Sequence, residues 1–147
     1  MNKKKELSFV LIGNPNTGKS TLFNLLTGLK QKTANYPGVT VEKKFGRFDT
    51  NNYTIHLTDL PGSYSLSPES PDELIATKAL YGDLEDVKKP DGVIVVVDST
   101  NLTRNLFLAT QLLEFKIPVI VVLTMWDVAK KTGIKIDLEK LTQLLKT

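Results

Sequence analysis

Two glycines, a lysine and a serine at fixed spacing form the first candidate site. The stretch GNPNTGKS at 13–20 matches G-x-x-x-x-G-K-[ST] in full. Glycines let the backbone approach a phosphate chain closely, and a following helix would point its free N–H groups at the same anion. Lys19 would contact the outer phosphates, and the Ser20 hydroxyl would bind Mg²⁺. The stretch predicts a nucleoside triphosphate site that contains Gly13, Asn14, Pro15, Asn16, Thr17, Gly18, Lys19, Ser20 and Thr21.

Two later segments carry groups suited to Mg²⁺ and the terminal phosphate. In α/β folds with a parallel sheet, an aspartate at the carboxyl end of a strand lies beside the phosphate loop. Asp59 would therefore hold Mg²⁺ directly or through water. The Gly62 N–H would meet the terminal phosphate, although DLPG alone is also an ordinary turn sequence. The Thr40 hydroxyl would complete the Mg²⁺ shell when a third phosphate is present. These segments add Gly38, Val39, Thr40, Asp59, Leu60, Pro61 and Gly62 to the predicted site.

A third segment would select the base. A carboxylate at Asp127, just after an apolar strand, would accept both N–H groups on the Watson–Crick edge of guanine, which adenine does not offer. Helix capping is the alternative role for this aspartate. The predicted base-binding residues are Thr124, Met125, Trp126 and Asp127.

The hydrophobic pattern predicts the elements that position these groups. Runs that are apolar throughout, typical of parallel strands buried on both faces, occur at 7–13, 92–98 and 117–123. Alternating stretches at 40–48 and 53–58 predict a hairpin. Helices are predicted at 20–29, 72–81 and 101–114, with a last one capped by Asp137, and loops at 30–39 and 59–71, the second long and mobile. Strands that alternate with helices predict an α/β domain with a mostly parallel central sheet flanked by helices.

Composition limits the remaining classes of function. The 147 residues suit a single domain, 1–147, and the net charge of +3 is too small to indicate nucleic-acid binding. The absence of cysteine excludes disulfides, thiolate metal sites and cysteine nucleophiles. One histidine and no cysteine form a poor ligand set for iron. No apolar stretch approaches the ~18 residues of a membrane span, and the start of the chain lacks a signal-peptide core, so we expect a soluble, cytosolic domain.

These residues together resemble the P-loop GTPases, and more narrowly the GTP-binding domain of the ferrous iron transport protein B (FeoB) family. The narrower resemblance covers residue 7 to the end of the chain. It rests above all on GVTVEKK and DLPGSYSL, with VVVDSTNLTRNLFLATQLLE and KKTGIKIDLEKL in support. It implies a Ras-like G domain that binds GTP and GDP with Mg²⁺ and hydrolyses GTP.

The resemblance also implies roles for particular segments. Lys30–Val39 and Ser63–Glu73 would be switches that the terminal phosphate orders. Asn16 corresponds to the asparagine that helps hold an activating K⁺ in this family. Ser63 and Tyr64 stand where many GTPases have a water-orienting glutamine, so hydrolysis should be slow. The implied catalytic residues are Asn16, Lys19, Thr40 and Gly62, and the implied Mg²⁺ ligands are Ser20, Thr40 and Asp59.

Two departures from the family pattern shape the expectations. Thr124 replaces the usual asparagine of the guanine motif, and loss of that contact would cost about 1–2 kcal/mol of affinity. The chain also stops before the family's last strand, base-binding loop and helix, so we expect a fragment of a larger membrane protein at the cytoplasmic face of the inner membrane. The helical domain and membrane segments of that parent would be its partners. An exposed apolar edge at 117–123 would favour self-association.

Three alternatives remain open at this point. The chain would also suit a soluble assembly or ribosome-type GTPase, or a nucleotide-sensing module that hydrolyses nothing. An ATP enzyme such as a small kinase is the third alternative, against which Asp127 and DLPG both argue.

Overall fold

Strands and helices alternate along the chain in a computed structural model that describes residues 3–147. The first two residues of the predicted domain therefore lie outside the described residues. The strands are β1 (Lys5–Gly13), β2 (Gln31–Asn35), β3 (Glu42–Asp49), β4 (Tyr53–Asp59), β5 (Gly92–Asp98) and β6 (Val119–Thr124). The helices are α1 (Lys19–Thr27), α2 (Pro71–Tyr81), α3 (Leu102–Leu113), α4 (Trp126–Lys131) and α5 (Leu138–Leu145), with a 3₁₀ turn at Ser99–Asn101.

The strands of residues 3–147 form one six-stranded sheet in the order β2-β3-β4-β1-β5-β6. β1 is parallel to both β4 and β5, and β5 is parallel to β6, whereas β3 is antiparallel to β2 and β4. The parallel strands β1, β4, β5 and β6 run in the same direction, so their carboxyl ends lie together at one end of the sheet. The site is built from the residues that follow these ends.

Alternate residues of the central strands supply two hydrophobic cores, one on each face of the sheet. Val10 and Ile12 of β1 pack with residues of α2 and α3, including the fully buried Leu108. Leu11, on the opposite face, packs with the fully buried Phe23 of α1. Burial on both faces explains why β1 and β5 are apolar throughout, and the predicted α/β architecture is confirmed.

Local sequence signals place several boundaries correctly. β3 and β4 form the predicted hairpin, in which the Thr50 N–H donates to the Tyr53 carbonyl at 2.8 Å. Ser70 caps α2 by accepting from the Glu73 N–H at 3.2 Å, and Pro71 takes the first helical position. Asp137 caps α5 by accepting from the Lys140 N–H at 2.9 Å, as predicted.

The prediction of a loop over residues 30–39 is wrong in its first half. Residues Gln31–Asn35 form β2, which pairs antiparallel with β3 at the edge of the sheet. The segment is polar and mostly exposed, so it lacks the apolar alternation by which strands are predicted from sequence. Backbone pairing with β3, rather than side-chain burial, makes it a strand.

The segment between β4 and α2 has no regular structure, as predicted, but it is tied to the rest of the domain. The Ser63 N–H donates to the Gly13 carbonyl at 3.0 Å, and the Leu66 N–H donates to Oε1 of Gln111 at 2.8 Å. Leu60 and Ser63 are fully buried. The bond to Gly13 holds the start of the segment against the phosphate loop, and the bond to Gln111 ties its middle to α3.

Candidate phosphate-loop site

The loop between β1 and α1 surrounds a cleft of about 460 Å³. Residues 14–21 line it, together with Gly62 and Asp72. Asn16 and Gly18 take left-handed backbone conformations, with φ of 61° and 85°, and Gly18 is the N-cap of α1. Loops with such conformations direct successive N–H groups into a concavity that binds anions, and the N-terminus of α1 adds its unpaired donors. The geometry at this position suits a phosphate group.

Lys19 and Asp59 meet beside this cleft across forty residues of sequence. The Lys19 ammonium donates to the Asp59 carboxylate and, at 2.8 Å, to the Leu60 carbonyl. Both side chains are nearly buried, with 12% and 10% exposed. Burial raises the pKa of the Asp59 carboxyl above its ordinary value, although the Lys19 ammonium opposes that rise.

Gly62 lies directly against the phosphate loop. A Cβ built at this position would come within 3.0 Å of Pro15 Cγ and 3.2 Å of the Pro15 backbone. A side chain at this position would press on Pro15, so glycine suits the close approach of the DLPG segment to the loop. The structure brings Gly62 and the phosphate loop together at one cleft.

Thr124 connects the predicted base-binding residues 124–127, here called the base segment, to the phosphate loop. Its hydroxyl donates to the Thr17 carbonyl at 2.6 Å. Met125, which follows, takes a left-handed conformation and is the N-cap of α4, whose first turn contains Asp127. Asp127 is exposed, so its carboxylate is accessible to a ligand. The alternative role of Asp127, helix capping, is not seen, since the N-cap of α4 is Met125.

Residues 36–41 include three predicted site residues that do not line the cleft. Tyr36 is buried, and its hydroxyl donates to the Asp59 carbonyl at 3.4 Å. Burial, with a further effect of the Asp59 carboxylate, raises the pKa of the Tyr36 hydroxyl, so this phenol stays protonated. Thr40 is exposed, and neither it nor Gly38 and Val39 is among the residues that line the cleft. Their predicted contacts with Mg²⁺ and phosphate stay predictions.

Two residues of the cleft have features that the sequence did not reveal. Asp72, from the first turn of α2, lines the cleft beside the phosphate loop. Its position in an acidic first turn was visible in the sequence, but spacing alone does not say which way that turn faces. Asn14 is 3% exposed, and among residues 3–147 neither its Nδ2 nor its Oδ1 has a hydrogen-bond partner. Burial of Asn14 was not visible in the sequence.

The two residues that follow Gly62 are engaged in contacts of their own. The Ser63 hydroxyl is buried and donates to the Pro61 carbonyl at 3.1 Å. The Tyr64 ring lies under the Arg104 guanidinium, 4.3 Å from its centroid. Neither side chain is among those that line the cleft.

The described part of the chain contains neither a cluster of metal-binding side chains nor a membrane-spanning helix. Residues 3–147 contain no group of three or more His, Cys, Asp and Glu side chains arranged to hold a metal ion. No helix in this range has both the length and the apolar character needed to cross a membrane.

The chain is similar to ferrous iron transport proteins over nearly all of its length. The family model described as ferrous iron transport protein B matches residues 7–147. The Fe(2+) transporter FeoB of Shigella flexneri is 50% identical over 146 residues, which is 96% of this chain and 18% of that protein. The chain therefore spans about 18% of the length of this relative.

Solved structures agree with this result. The G domain of the T. maritima FeoB iron transporter is 47% identical with a TM-score of 0.84, over 96% of this chain and 83% of that one. A GDP-bound S. thermophilus NFeoB mutant is 46% identical with a TM-score of 0.82, over 93% of this chain and 52% of that one. These likenesses confirm both the predicted resemblance and the predicted G-domain fold.

Proposed function

Because this chain belongs to the ferrous iron transport protein B family, we propose that it binds GTP and GDP and hydrolyses GTP to GDP and phosphate. The observation that carries the proposal is the cleft at 14–21, where the phosphate loop, the N-terminus of α1 and Gly62 meet. The GDP-bound relative, 46% identical, supports guanine nucleotide as the ligand. Fold alone would not support an activity, whereas this constellation of groups does.

We assign the phosphates to Lys19 and to the backbone N–H groups of the loop. Lys19 already lies in the cleft, where its ammonium faces the Asp59 carboxylate. When the phosphates enter, they offer the ammonium a second anionic partner. Asp127 lies in the neighbouring segment 124–127, and its carboxylate accepts hydrogen bonds from the N–H groups of guanine. The exposure of Asp127 is compatible with that contact.

The groups around Lys19 suit Mg²⁺. Ser20 lines the cleft and offers a hydroxyl, and the Asp59 carboxylate lies within contact of the Lys19 ammonium. Hydroxyl and carboxylate oxygens are the hard ligands that Mg²⁺ prefers, alongside phosphate oxygens. We propose Ser20 and Asp59, with Thr40, as the residues that hold the ion. Mg²⁺ would neutralise charge on the phosphates during transfer.

Hydrolysis is proposed to be slow and to be stimulated by K⁺. The Ser63 hydroxyl and the Tyr64 ring are engaged with Pro61 and Arg104, so neither is free to orient water as a glutamine would. Asn16 is exposed at the cleft in a left-handed conformation, where its amide oxygen could hold a monovalent cation beside the phosphates. Such a cation would supply positive charge in the place of an arginine finger.

The domain is proposed to serve a longer transporter. Its similarity to an Fe(2+) transporter and to cytosolic domains of FeoB supports ferrous iron as the transported ion and the cytoplasmic side of a membrane as the location. The helical and membrane parts of the transporter would be its partners. Self-association is also proposed, since β6 lies at the edge of the sheet of residues 3–147 and Ile120 on it is 50% exposed.

Competition for labelled GDP tests the proposal. In wild-type protein with Mg²⁺, we expect unlabelled GTP to displace fluorescent GDP and ATP to fail. Asp127→Ala should abolish this preference while phosphate binding persists, because the base contact alone is removed. Asp137→Ala, which removes an exposed cap of α5, is the matched control and should keep the preference.

The outcomes separate the candidate functions. Equal displacement by ATP in wild-type protein would reject a guanine site, and unchanged GTP selectivity in Asp127→Ala would reject the role of that residue. Phosphate release is then measured in potassium and in sodium buffer. Retained GDP binding without any turnover would favour a nucleotide sensor over a GTPase.

A further inference from the structure

An open groove of about 430 Å³ lies on the sheet at β2, β3 and β4. Its lining includes Leu29 and four basic residues, Lys30, Lys32, Arg47 and His56, and we call it the basic groove. No aspartate or glutamate is among the described residues that line it, and none of its residues lines the phosphate-loop cleft. A groove with this lining attracts anions.

The strand register places three of these basic residues on one face of the sheet. Lys32 of β2 lies opposite Phe45 of β3, and Arg47 of β3 lies opposite His56 of β4. Side chains opposite one another share a face, and Phe45 and Arg47 are two residues apart, so all four point to the same face. Lys32, Arg47 and His56 are exposed, so the helices that cover the centre of the sheet do not cover this part.

The carboxylates at one end of the basic groove do not balance its charge. Asp49 lies 3.8 Å from the Lys4 ammonium and 3.3 Å from the Lys30 ammonium, so one negative charge faces two positive charges. The acidic segment 82–91 meets the sheet at Lys43, which donates to a backbone carbonyl of that segment at 3.2 Å. Lys43 is not part of the groove lining, so this segment does not neutralise the groove.

Two cations of the basic groove face solvent without an acidic partner. Among residues 3–147, neither Lys32 nor Arg47 forms an ion pair with a carboxylate, whereas Nε2 of His56 lies 3.2 Å from the Glu6 carboxylate. Lys32 and Arg47 are therefore available to an external anion.

An apolar side chain stands among these cations. Leu29, in the turn between α1 and β2, is fully exposed and lines the groove with Lys30. Proteins that bind the surface of an anionic bilayer combine cations, which meet the lipid phosphates, with apolar side chains that enter the boundary between headgroups and acyl chains. An acidic peptide would satisfy the cations but leave Leu29 in water, so the combination favours a bilayer.

We propose that the basic groove docks this domain on a bilayer that contains anionic phospholipid. Lys30, Lys32 and Arg47 bind lipid phosphates, and Leu29 enters the headgroup region. Lipid contact leaves the phosphate-loop cleft accessible, because the two sites share no lining residue. The placement of that bilayer beside the membrane segments of a transporter rests on the proposed function, whereas the binding of lipid does not.

Sedimentation with vesicles tests the proposal on the purified chain. Vesicles of phosphatidylcholine alone are compared with vesicles of phosphatidylcholine mixed with phosphatidylglycerol, at low and at high salt. We expect binding to the mixed vesicles only, and binding about tenfold weaker at high salt, because salt screens charges that are exposed to solvent.

Two variants test the residues of the basic groove. Lys32→Gln combined with Arg47→Gln should weaken binding to the mixed vesicles about 25-fold, since each cation near an anionic surface contributes roughly fivefold. Leu29→Ser should weaken it about tenfold, as expected for partial burial of a leucine. All three side chains are exposed, so both variants should keep the Tm of wild type.

Matched controls change the same residue types outside the basic groove. Lys135→Gln combined with Lys140→Gln alters the net charge equally at exposed positions. Leu144→Ser removes a leucine that is 70% exposed on α5. Both controls should bind the mixed vesicles as wild type does.

The outcomes decide between lipid and other partners. The proposal is overturned if the mixed vesicles bind no better than phosphatidylcholine alone, if the Lys32 and Arg47 double variant keeps full binding, or if the control double variant loses binding equally. Binding of soluble poly-glutamate in preference to the vesicles would also overturn it, in favour of an acidic protein partner. If the chain binds mixed vesicles but no GDP, the proposed function fails and this inference stands, whereas the reverse result overturns this inference alone.

Discussion

The ion pair between Lys19 and Asp59 should stabilise the nucleotide-free domain, in addition to any role in binding. We consider Lys19→Met, which keeps the apolar stem and removes the charge. The two side chains are 12% and 10% exposed, so the substitution leaves a nearly buried carboxylate without its cation. Breaking such a pair costs about 3 to 5 kcal/mol, and we expect the lower end because Asp59 can take up a proton.

The pH dependence of this loss follows from the direction of the Asp59 shift. Burial raises the pKa of the Asp59 carboxyl in the folded protein above its value in the unfolded chain, and loss of Lys19 raises it further. A carboxyl with a raised pKa favours the folded state at low pH, and that contribution disappears as the pH rises through the folded pKa. The destabilisation by Lys19→Met should therefore be larger at pH 8 than at pH 5.

Thermal unfolding without nucleotide measures these effects. A loss of about 3 kcal/mol at pH 8 corresponds to a fall in Tm of roughly 6 to 12 °C for a domain of this size. Lys19→Met combined with Asp59→Asn should recover most of the loss, because the unpaired charge is gone. Lys30→Met is the control, since its pair with Asp49 at 3.3 Å is exposed and its Tm should hardly change. Equal Tm values for Lys19→Met and Lys30→Met, or no recovery in the double variant, would refute the reasoning.

Two further predictions concern the cleft and the sheet edge. In Gly62→Ala the new Cβ would lie 3.0 Å from Pro15 Cγ, and overpacking of about 1 to 3 kcal/mol should lower nucleotide affinity roughly tenfold; unchanged affinity in a GDP titration would contradict the contact. Self-association through the edge at β6 should appear in light scattering as a mass that rises with concentration, and Ile120→Lys, which charges a half-exposed position, should reduce it. A strict monomer at every concentration would count against that edge.

The sequence predicted the elements whose signals are local. The apolar runs at β1, β5 and β6, the hairpin of β3 and β4, the start of α2 near Pro71 and the cap at Asp137 are all confirmed. Each depends on residues within a few positions of one another, where periodicity and side-chain chemistry act directly. The phosphate loop belongs to this class, since one short motif contains most of the residues that line the cleft.

The contacts between distant segments were decided only by the tertiary structure. β2 is a strand because it pairs with β3, and the sequence of Gln31–Asn35 has no apolar pattern that would predict this pairing. Lys19 contacts Asp59, forty residues away, and Thr124 contacts Thr17 across 107 residues. Both contacts form because the carboxyl ends of the parallel strands lie together at one end of the sheet. The sequence determined which chemical groups this protein carries at its strand ends. The order of the strands determined which of those groups touch, since that order depends on the packing of the whole sheet and not on any local pattern.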